Sequence, residues 1–280
     1  MFRVKGKPEL PISIVTNIFA GYPLEEALYE IAKMDFKAVE PASIDGNCHH
    51  CKVEEMTPEN AEILFAKLET LGLKVYGFAG HVNLSTDIGC EHFLTKMRFA
   101  SWLGAKIINT NAGPLSREKE FRKNMTKVIE LAENLNIKVG LESHGDIVST
   151  ARRSTNFVKS FAHPLVSMNY DPGNVYYWSR GCVDPSEDIL YAADFLEYIH
   201  LKDIKEEGGV VSFCPLGEGD CNIPKIVKML KDFPNLIAVS LEIPISVSGI
   251  DYKSLQNSAP LESGVIKSAI ERSMLVFEEN

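Results

Sequence analysis

The chain of 280 residues lacks any long hydrophobic run. No apolar stretch approaches the ~18 to 20 residues that a membrane-spanning helix needs. The opening residues, MFRVKGKPELPISIV, also lack the apolar segment and the small-residue cleavage site of a signal peptide. We therefore expect a cytoplasmic protein without a membrane partner.

Basic residues are scarce relative to acidic ones. The 29 Lys and Arg side chains stand against 38 Asp and Glu side chains, which gives a formal net charge of −9. This negative charge repels polyanions and argues against a general nucleic-acid-binding role. A small, locally basic pocket for a small-molecule partner remains compatible with this charge. A homo-oligomer is also compatible with this composition.

The chain has six cysteines but no second CxxC pair to accompany Cys48-His49-His50-Cys51. Without an export signal, reduced thiols are the expectation. The CxxC with two interposed histidines could bind zinc or undergo redox cycling. Because no further Cys or His pair completes a zinc site, we favour a structural or incidental role over a metal-binding or redox role.

Phosphate-binding motifs are missing as well. The sequence contains no GxxxxGK[ST], and no GxGxxG follows a predicted strand. The segment Gly217-Glu218-Gly219-Asp220 is interpreted as a turn in a long loop rather than as a phosphate cradle.

Strand and helix signals alternate along the whole chain, which predicts a (β/α)8 TIM barrel formed by a single domain, residues 1–280. The helical segments have one apolar face, as where Phe121, Met125 and Val128 recur at spacings of 4 and 3 residues. Thr57 and Asp184 are predicted helix N-caps, each followed by proline. The predicted strands are residues 11–16, 37–42, 73–79, 105–111, 137–143, 165–171, 197–202 and 236–243.

Four polar residues end predicted strands at intervals of about one strand and helix. Glu142, Asp171, His200 and Glu242 are separated by 29, 29 and 42 residues. The carboxyl ends of barrel strands meet at one face, so these side chains should converge. Three carboxylates and an imidazole suit one divalent cation, with Mn²⁺ the first choice and Mg²⁺, Co²⁺ or Zn²⁺ as alternatives.

At these strand ends the chain resembles the xylose-isomerase-like barrel superfamily, specifically the sugar phosphate isomerase/epimerase group. That resemblance implies that Glu142, Asp171, His200 and Glu242 hold the metal and that the two glutamates flank the substrate carbon. The matching stretches are Leu141-Glu142-Ser143-His144, Tyr170-Asp171-Pro172-Gly173-Asn174, Ile199-His200-Leu201-Lys202-Asp203, the loop from Gly217-Glu218-Gly219-Asp220 to Ile223-Pro224, and Leu241-Glu242.

Metal-assisted proton transfer is the predicted chemistry. A metal-chelated carbonyl makes the neighbouring C–H more acidic, and Glu142 and Glu242 can act as the acid and base. This predicts an isomerase or epimerase of a small ketose or a related sugar. A dehydratase of an inosose-like cyclitol is the alternative; a non-catalytic sugar-binding barrel and an endonuclease IV-like DNA-repair enzyme are more distant ones.

Further residues are predicted to contact the substrate. His144 and Lys202 each lie two positions beyond a proposed metal ligand, and two residues apart means the same face of a strand. His81, just past the third predicted strand, could close the pocket from the far side. Asn174 stands where relatives that bind several metals carry histidine, so it counts against a second metal and is assigned to the substrate. Tyr176, Tyr177 and Trp178 offer flat surfaces for a sugar ring, although packing beneath a loop explains them equally well.

Overall fold

A computed structural model describes residues 3–4, 7–145, 147–243 and 262–279 of the chain. Its strands alternate with helices, and most of the strands belong to one curled sheet. The strands are β1 Arg3–Val4, β2 Lys7–Ile14, β3 Ala38–Val39, β4 Ser43–Ile44, β5 Cys48–His49, β6 Lys74–Val75, β7 Gly77–Asn83, β8 Ile107–Asn111, β9 Lys138–Glu142, β10 Val166–Tyr170, β11 Leu196–Leu201, β12 Asp203–Glu207, β13 Val210–Cys214 and β14 Ala238–Leu241.

The helices cover the outside of this sheet. They are α1 Leu24–Lys33, α2 Pro58–Leu71, α3 Asp87–Trp102, α4 Glu118–Leu135, α5 Ala151–Lys159, α6 Pro172–Ser179, α7 Pro185–Asp188, α8 Ile223–Met229 and α9 Ser263–Glu279. Within the described ranges, none of them combines the length and the apolar character required to cross a bilayer.

The central sheet has the strand order β1-β2-β14-β11-β10-β9-β8-β7 and is parallel from β2 to β7. The short strand β3 fills the gap between β2 and β7. It joins them through parallel bridges from Val15 to Glu40 and from Ala42 to Ala79. The predicted (β/α)8 barrel is confirmed, with β3 as its second strand.

The predicted helix faces and caps account for the outer layer. Phe121, Met125 and Val128 of α4 are fully or almost fully buried against the barrel. Burial of such a stripe is the main force that fixes a helix on a sheet. The Thr57 hydroxyl accepts the Asn60 amide at 3.2 Å, and an Asp184 carboxylate oxygen accepts the Ser186 amide at 2.8 Å, so both predicted N-caps are confirmed.

Two predicted strands differ in kind from the observed ones; the other six are displaced by at most two residues at either end, except that β2 begins at Lys7 rather than at residue 11. Residues 37–42 yield only Ala38–Val39, because Pro41 has no amide hydrogen with which to continue the pairing. Residues 73–79 divide into β6 and β7, and pairing with β8 carries β7 on to Asn83. The prediction that His81 follows the third strand is therefore wrong: His81 lies within it.

The long connection after β11 contains the β12–β13 hairpin and the turn at residues 217–220. The buried Asp203 carboxylate accepts the backbone amides of Gly217 at 2.8 Å and Gly219 at 3.0 Å. A Cβ on Gly219 would lie 2.3 Å from an Asp203 oxygen, so glycine permits this close approach. These amides already donate to the Asp203 carboxylate, so they are not free to bind a phosphate. The structure therefore agrees with the interpretation of this segment as a turn.

Candidate functional site

The structure brings together the four residues predicted at the strand ends. Glu142 ends β9, Asp171 follows β10, His200 lies in β11 and Glu242 follows β14. All four are buried, and one potential ligand atom from each lies within 4.8 Å of the others. Parallel strands deliver these side chains to the carboxyl end of the barrel, where barrel proteins place their active sites.

The His200 imidazole lies at the centre of this cluster. Its Nδ1 is 2.6 Å from Glu142 Oε1 and 3.4 Å from Glu242 Oε2. Its Nε2 faces the other way and is 3.0 Å from Glu40 Oε1. Burial disfavours the charged ring, but the surrounding carboxylates, Glu40 foremost, outweigh it and raise the His200 pKa well above its ordinary value. The carboxylates around the ring therefore stabilise a positive charge at this position.

Glu40 is a site residue that the sequence interpretation missed. It is fully buried just after β3, and the Asn109 side-chain amide donates to its Oε1 at 2.9 Å. The signal was present, since Glu40 is a carboxylate near the end of a predicted strand like the other site residues. It was overlooked because residues 37–42 lie outside the stretches that carried the family resemblance.

Lys202 extends into the same cluster rather than away from it. Its Nζ is 2.6 Å from Asp171 Oδ2, 2.9 Å from Glu242 Oε2 and 3.4 Å from Asn174 Oδ1. The second Asp171 oxygen accepts the Asn174 backbone amide at 2.9 Å and caps α6. Asp171 thus both caps a helix and faces the site. Burial raises the Asp171 pKa to about 7, Lys202 opposes this, and the neighbouring glutamates add to it.

His81 and His144 lie on the other side of Glu142. His81 Nε2 is 3.1 Å from Glu142 Oε2, so the His81 ring faces the cluster. Burial disfavours ionisation of Glu142, but His81 and His200 outweigh it and hold the pKa of that carboxyl well below its usual range. The His144 ring packs 5.9 Å from the Trp178 ring, between centroids, and burial lowers the His144 pKa.

The aromatic residues after β10 contact one another and the loop that carries His144. Trp178 contacts Tyr177 edge to face at 5.2 Å between ring centroids, and a Cβ on Gly145 would lie 2.4 Å from the indole. Tyr176 and Tyr177 are half-buried, whereas 47% of Trp178 is exposed, so both interpretations from the sequence stay open for Trp178. Trp178 holds the His144 loop in place.

The Cys48-His49-His50-Cys51 segment does not form a metal-binding group with other described residues. Cys48 and Cys51 are buried, and burial raises the pKa of each thiol to about 12. The His50 ring bonds to the Thr16 hydroxyl at 2.9 Å and to the Tyr22 carbonyl at 3.0 Å. These contacts agree with the structural role favoured from the sequence.

The donor set fits a divalent metal ion. Glu142, Asp171 and Glu242 offer hard oxygen donors, and His200 offers one borderline nitrogen donor. Oxygen-rich sets of this kind suit Mn²⁺, Mg²⁺ or Co²⁺, and Zn²⁺ also accepts them. The Lys202 ammonium and the His200 ring offset the repulsion among these three buried carboxylates in the structure, and a divalent ion held there would add to that compensation.

Comparison with known proteins identifies related barrels. The chain is 22% identical to inosose dehydratase of Geobacillus kaustophilus (strain HTA426) over 215 residues, which is 70% of this chain and 68% of the relative.

Two solved structures share the fold. A xylose isomerase-like TIM barrel protein from Mycobacterium smegmatis in complex with magnesium superimposes with a TM-score of 0.71, at 19% identity, over 100% of this chain and 99% of that chain. A D-psicose 3-epimerase in the presence of D-fructose superimposes with a TM-score of 0.72, at 16% identity, over 96% of this chain and 98% of that chain.

The family model for the xylose isomerase-like TIM barrel matches residues 28–264, which is most of the chain. This range includes Glu40 and all four residues of the central cluster. The protein therefore belongs to the xylose isomerase-like TIM barrel family.

Proposed function

We propose that the protein is a metal-dependent isomerase or epimerase of a small ketose or a related hydroxy-carbonyl compound. The observation that carries this proposal is the buried cluster of Glu142, Asp171, His200 and Glu242, with ligand atoms within 4.8 Å of one another. These four residues would hold one divalent ion, Mn²⁺ first among Mn²⁺, Mg²⁺, Co²⁺ and Zn²⁺. The epimerase with the same fold supports the reaction class.

The two glutamates are proposed as the acid and base. A bound divalent ion would supply Lewis-acid polarisation of a substrate carbonyl, which acidifies the adjacent C–H. Glu142 and Glu242 extend from strands separated by β10 and β11, so they approach the centre from different directions. One carboxylate can take a proton from a substrate carbon while the other returns a proton on the opposite face. Proton transfer by the two glutamates one after the other gives epimerisation, and proton transfer by one glutamate alone gives isomerisation.

The surrounding side chains would orient the substrate. His81 lies 3.1 Å from Glu142 and can fix the direction of that carboxylate. Lys202 lies 2.9 Å from Glu242 on the other side and can donate to a substrate oxygen. Asn174 and His144 complete the proposed set of substrate contacts. The barrel wall around them limits access of water to the carbanion-like carbon.

A dehydratase is the second candidate, and Lys202 is the observation that favours it. An ammonium group beside the proposed base could give a proton to a departing hydroxyl group, whereas the isomerase reaction needs no such leaving group. The matching inosose dehydratase supports this reading. The two reactions share proton abstraction and differ in the fate of the neighbouring hydroxyl.

Proton abstraction can be measured directly with Glu142→Gln and Glu242→Gln. Gln keeps an oxygen donor but removes the base, so solvent-deuterium exchange at the carbon next to the carbonyl should fall by about 10²- to 10⁴-fold. Each variant is saturated with Mn²⁺ first, and metal content is measured by elemental analysis. Glu197→Gln, in a half-buried ion pair with Lys138 near the start of β11, is the matched control.

Product analysis separates the candidates. An isomeric sugar supports the isomerase or epimerase, and loss of water from an inosose supports the dehydratase. Near-normal exchange in both metal-saturated Gln variants would overturn the acid–base assignment. Sugar binding without exchange in the unaltered protein would indicate a non-catalytic barrel.

A further inference from the structure

The amino-terminal end of the barrel concentrates lysines in a chain whose formal net charge is −9. Consecutive strands of the barrel wall each have a lysine at, or directly before, their first residue. These lysines are Lys7, Lys37, Lys74, Lys106 and Lys138. Because parallel strands start at the same end, these lysines lie opposite the carboxyl end that holds the metal cluster.

Lys74 and Lys106 differ from the other lysines in their surroundings. The other ammonium groups contact a backbone carbonyl, Asp35 or Glu197. By contrast, no hydrogen bond or ion pair joins the ammonium of Lys74 or Lys106 to the part of the chain that the structure describes. The Lys106 amide donates to the Tyr76 carbonyl at 2.8 Å, so the two lysines lie on neighbouring strands. Two neighbouring cations without counter-ions attract an anion.

Both lysines line a cavity of about 510 Å³, within the about 300–1,000 Å³ typical of small-molecule sites. Its accessible apolar walls are Phe65 of α2, which is 40% exposed, and the half-buried Tyr76. The aliphatic stems of the lysines add further apolar surface. The apolar body of a ligand would therefore contact two aromatic rings while its polar end reaches the ammonium groups.

The ends of α2 and α3 leave this cavity open. Gly72 directly follows α2, Gly104 lies two residues beyond α3, and both line the cavity. A Cβ on either glycine would have no atom within 4 Å, so the space beside them is free for a ligand. Glu69 is the acidic residue of the lining and stands against two lysines, which leaves an excess of one positive charge. The cavity therefore favours a ligand with a single negative charge.

We infer that this cavity binds an amphipathic monocarboxylate, a small acid with an apolar body. Its carboxylate lies between the ammonium groups of Lys74 and Lys106, and its apolar body lies against Phe65 and Tyr76. Glu69 opposes any second negative charge. The site is at the opposite end of the barrel from the metal cluster, so the inference does not depend on the proposed function.

Phenylbutyrate and phenylbutanol, its uncharged counterpart, test this site. Each is titrated into the ¹⁵N-labelled protein, and backbone amide shifts are followed by NMR. We expect both compounds to shift the amides of Gly72 and Gly104, with the acid binding about tenfold more tightly, because two exposed ion pairs form. That advantage should shrink in high salt. Equal affinities of acid and alcohol, or no shift at these glycines, would overturn the inference.

Variants of the two lysines link the preference to this cavity. Lys74→Gln and Lys106→Gln should each weaken phenylbutyrate binding about three- to fivefold and leave phenylbutanol binding unchanged. Lys228→Gln, at an exposed position of α8, is the matched control and should alter neither affinity. Lysines near helix C-termini also stabilise the helices themselves. A lower free energy of unfolding in both variants with unchanged phenylbutyrate affinity would assign them that role alone and overturn the inference.

Phe65→Ala tests the apolar wall separately. Because the aromatic ring contacts the part that the two compounds share, this variant should weaken phenylbutyrate and phenylbutanol binding by similar factors. Unchanged binding of both compounds would contradict the placement of the apolar body against Phe65.

Discussion

His200 Nε2 lies 3.0 Å from one oxygen of Glu40 and 3.1 Å from the other, so one edge of the imidazole faces both oxygens of a single buried carboxylate. A carboxylate in this position fixes a proton on Nε2, so Nδ1 is the nitrogen that would lose its proton to bind a metal. Nδ1 is the nitrogen that points towards Glu142 and Glu242. Glu40 therefore orients His200 for the proposed metal.

Glu40→Gln should weaken Mn²⁺ binding by about 10- to 100-fold, the usual effect of losing a carboxylate behind a metal-binding histidine. The variant keeps the side-chain shape but removes the charge that holds the proton on Nε2. The Mn²⁺ dissociation constant is measured by calorimetry. Glu197→Gln removes a carboxylate from the opposite end of β11 and should leave that constant unchanged. Identical constants for the protein and Glu40→Gln would contradict the proposed role of Glu40.

Lys202→Met should destabilise the protein most strongly when no metal is present. The ammonium lies 2.6 Å from Asp171 and 2.9 Å from Glu242, and removal of one partner from a buried ion pair costs about 3–5 kcal/mol of unfolding free energy. A divalent ion among the same carboxylates would offset part of that loss. Urea denaturation in EDTA and in Mn²⁺ measures both values, with the exposed Lys205→Met as control. An equal loss with and without Mn²⁺ would count against a metal at these carboxylates.

Cysteine alkylation should distinguish exposed thiols from buried ones. The thiolate is the reactive form, and burial raises the pKa of Cys48 and of Cys51 to about 12, so both stay protonated at pH 8. Cys182 is exposed. Treatment of the folded protein with iodoacetamide should modify Cys182 first, as read by peptide mass spectrometry. Rapid modification of Cys48 or Cys51 under these conditions would contradict the structural role of that segment.

Gly219→Ala should lower the free energy of unfolding by about 1–3 kcal/mol, the typical cost of overpacking. Its Cβ would lie 2.3 Å from Asp203 Oδ1 and 2.4 Å from the Ile204 carbonyl oxygen. Gly264→Ala in α9 is the matched control, since no atom lies within 4 Å of its Cβ and alanine favours a helix. Urea denaturation of both variants measures the difference. A Gly219→Ala protein as stable as the control would show that the turn tolerates a side chain.

The parts of the site that were predictable share one property. Glu142, Asp171, His200 and Glu242 belong to strand ends whose apolar runs and regular spacing are visible along the chain. The direction in which Lys202 extends was harder to predict from the sequence, because it depends on carboxylates that two neighbouring strands supply. Strand alternation suggested that it shares the face of His200, and both side chains do reach Glu242. The additional ion pair with Asp171 depends on a side chain from another strand.

The bounds of strands proved harder to predict where glycine or proline interrupts the pattern. Gly80 weakened the signal of the third strand, yet pairing with β8 extends it past His81. Pro41 shortened the second strand and left Glu40 at an isolated bridge to Val15. Tertiary pairing decides such cases, and no local pattern records it.

The short second strand has a consequence for the motions of the barrel. Strand β3 is two residues long, and beyond it the closure of the barrel rests on the bridges at Glu40 and Ala42. A join with so few backbone hydrogen bonds is where local opening costs the least free energy. Glu40 belongs to this join and also contacts His200, so a ligand that steadies His200 holds the two edges of the barrel together. Amide hydrogen exchange at residues 38–40 and at Ala42 should then be slower when a ligand occupies the site.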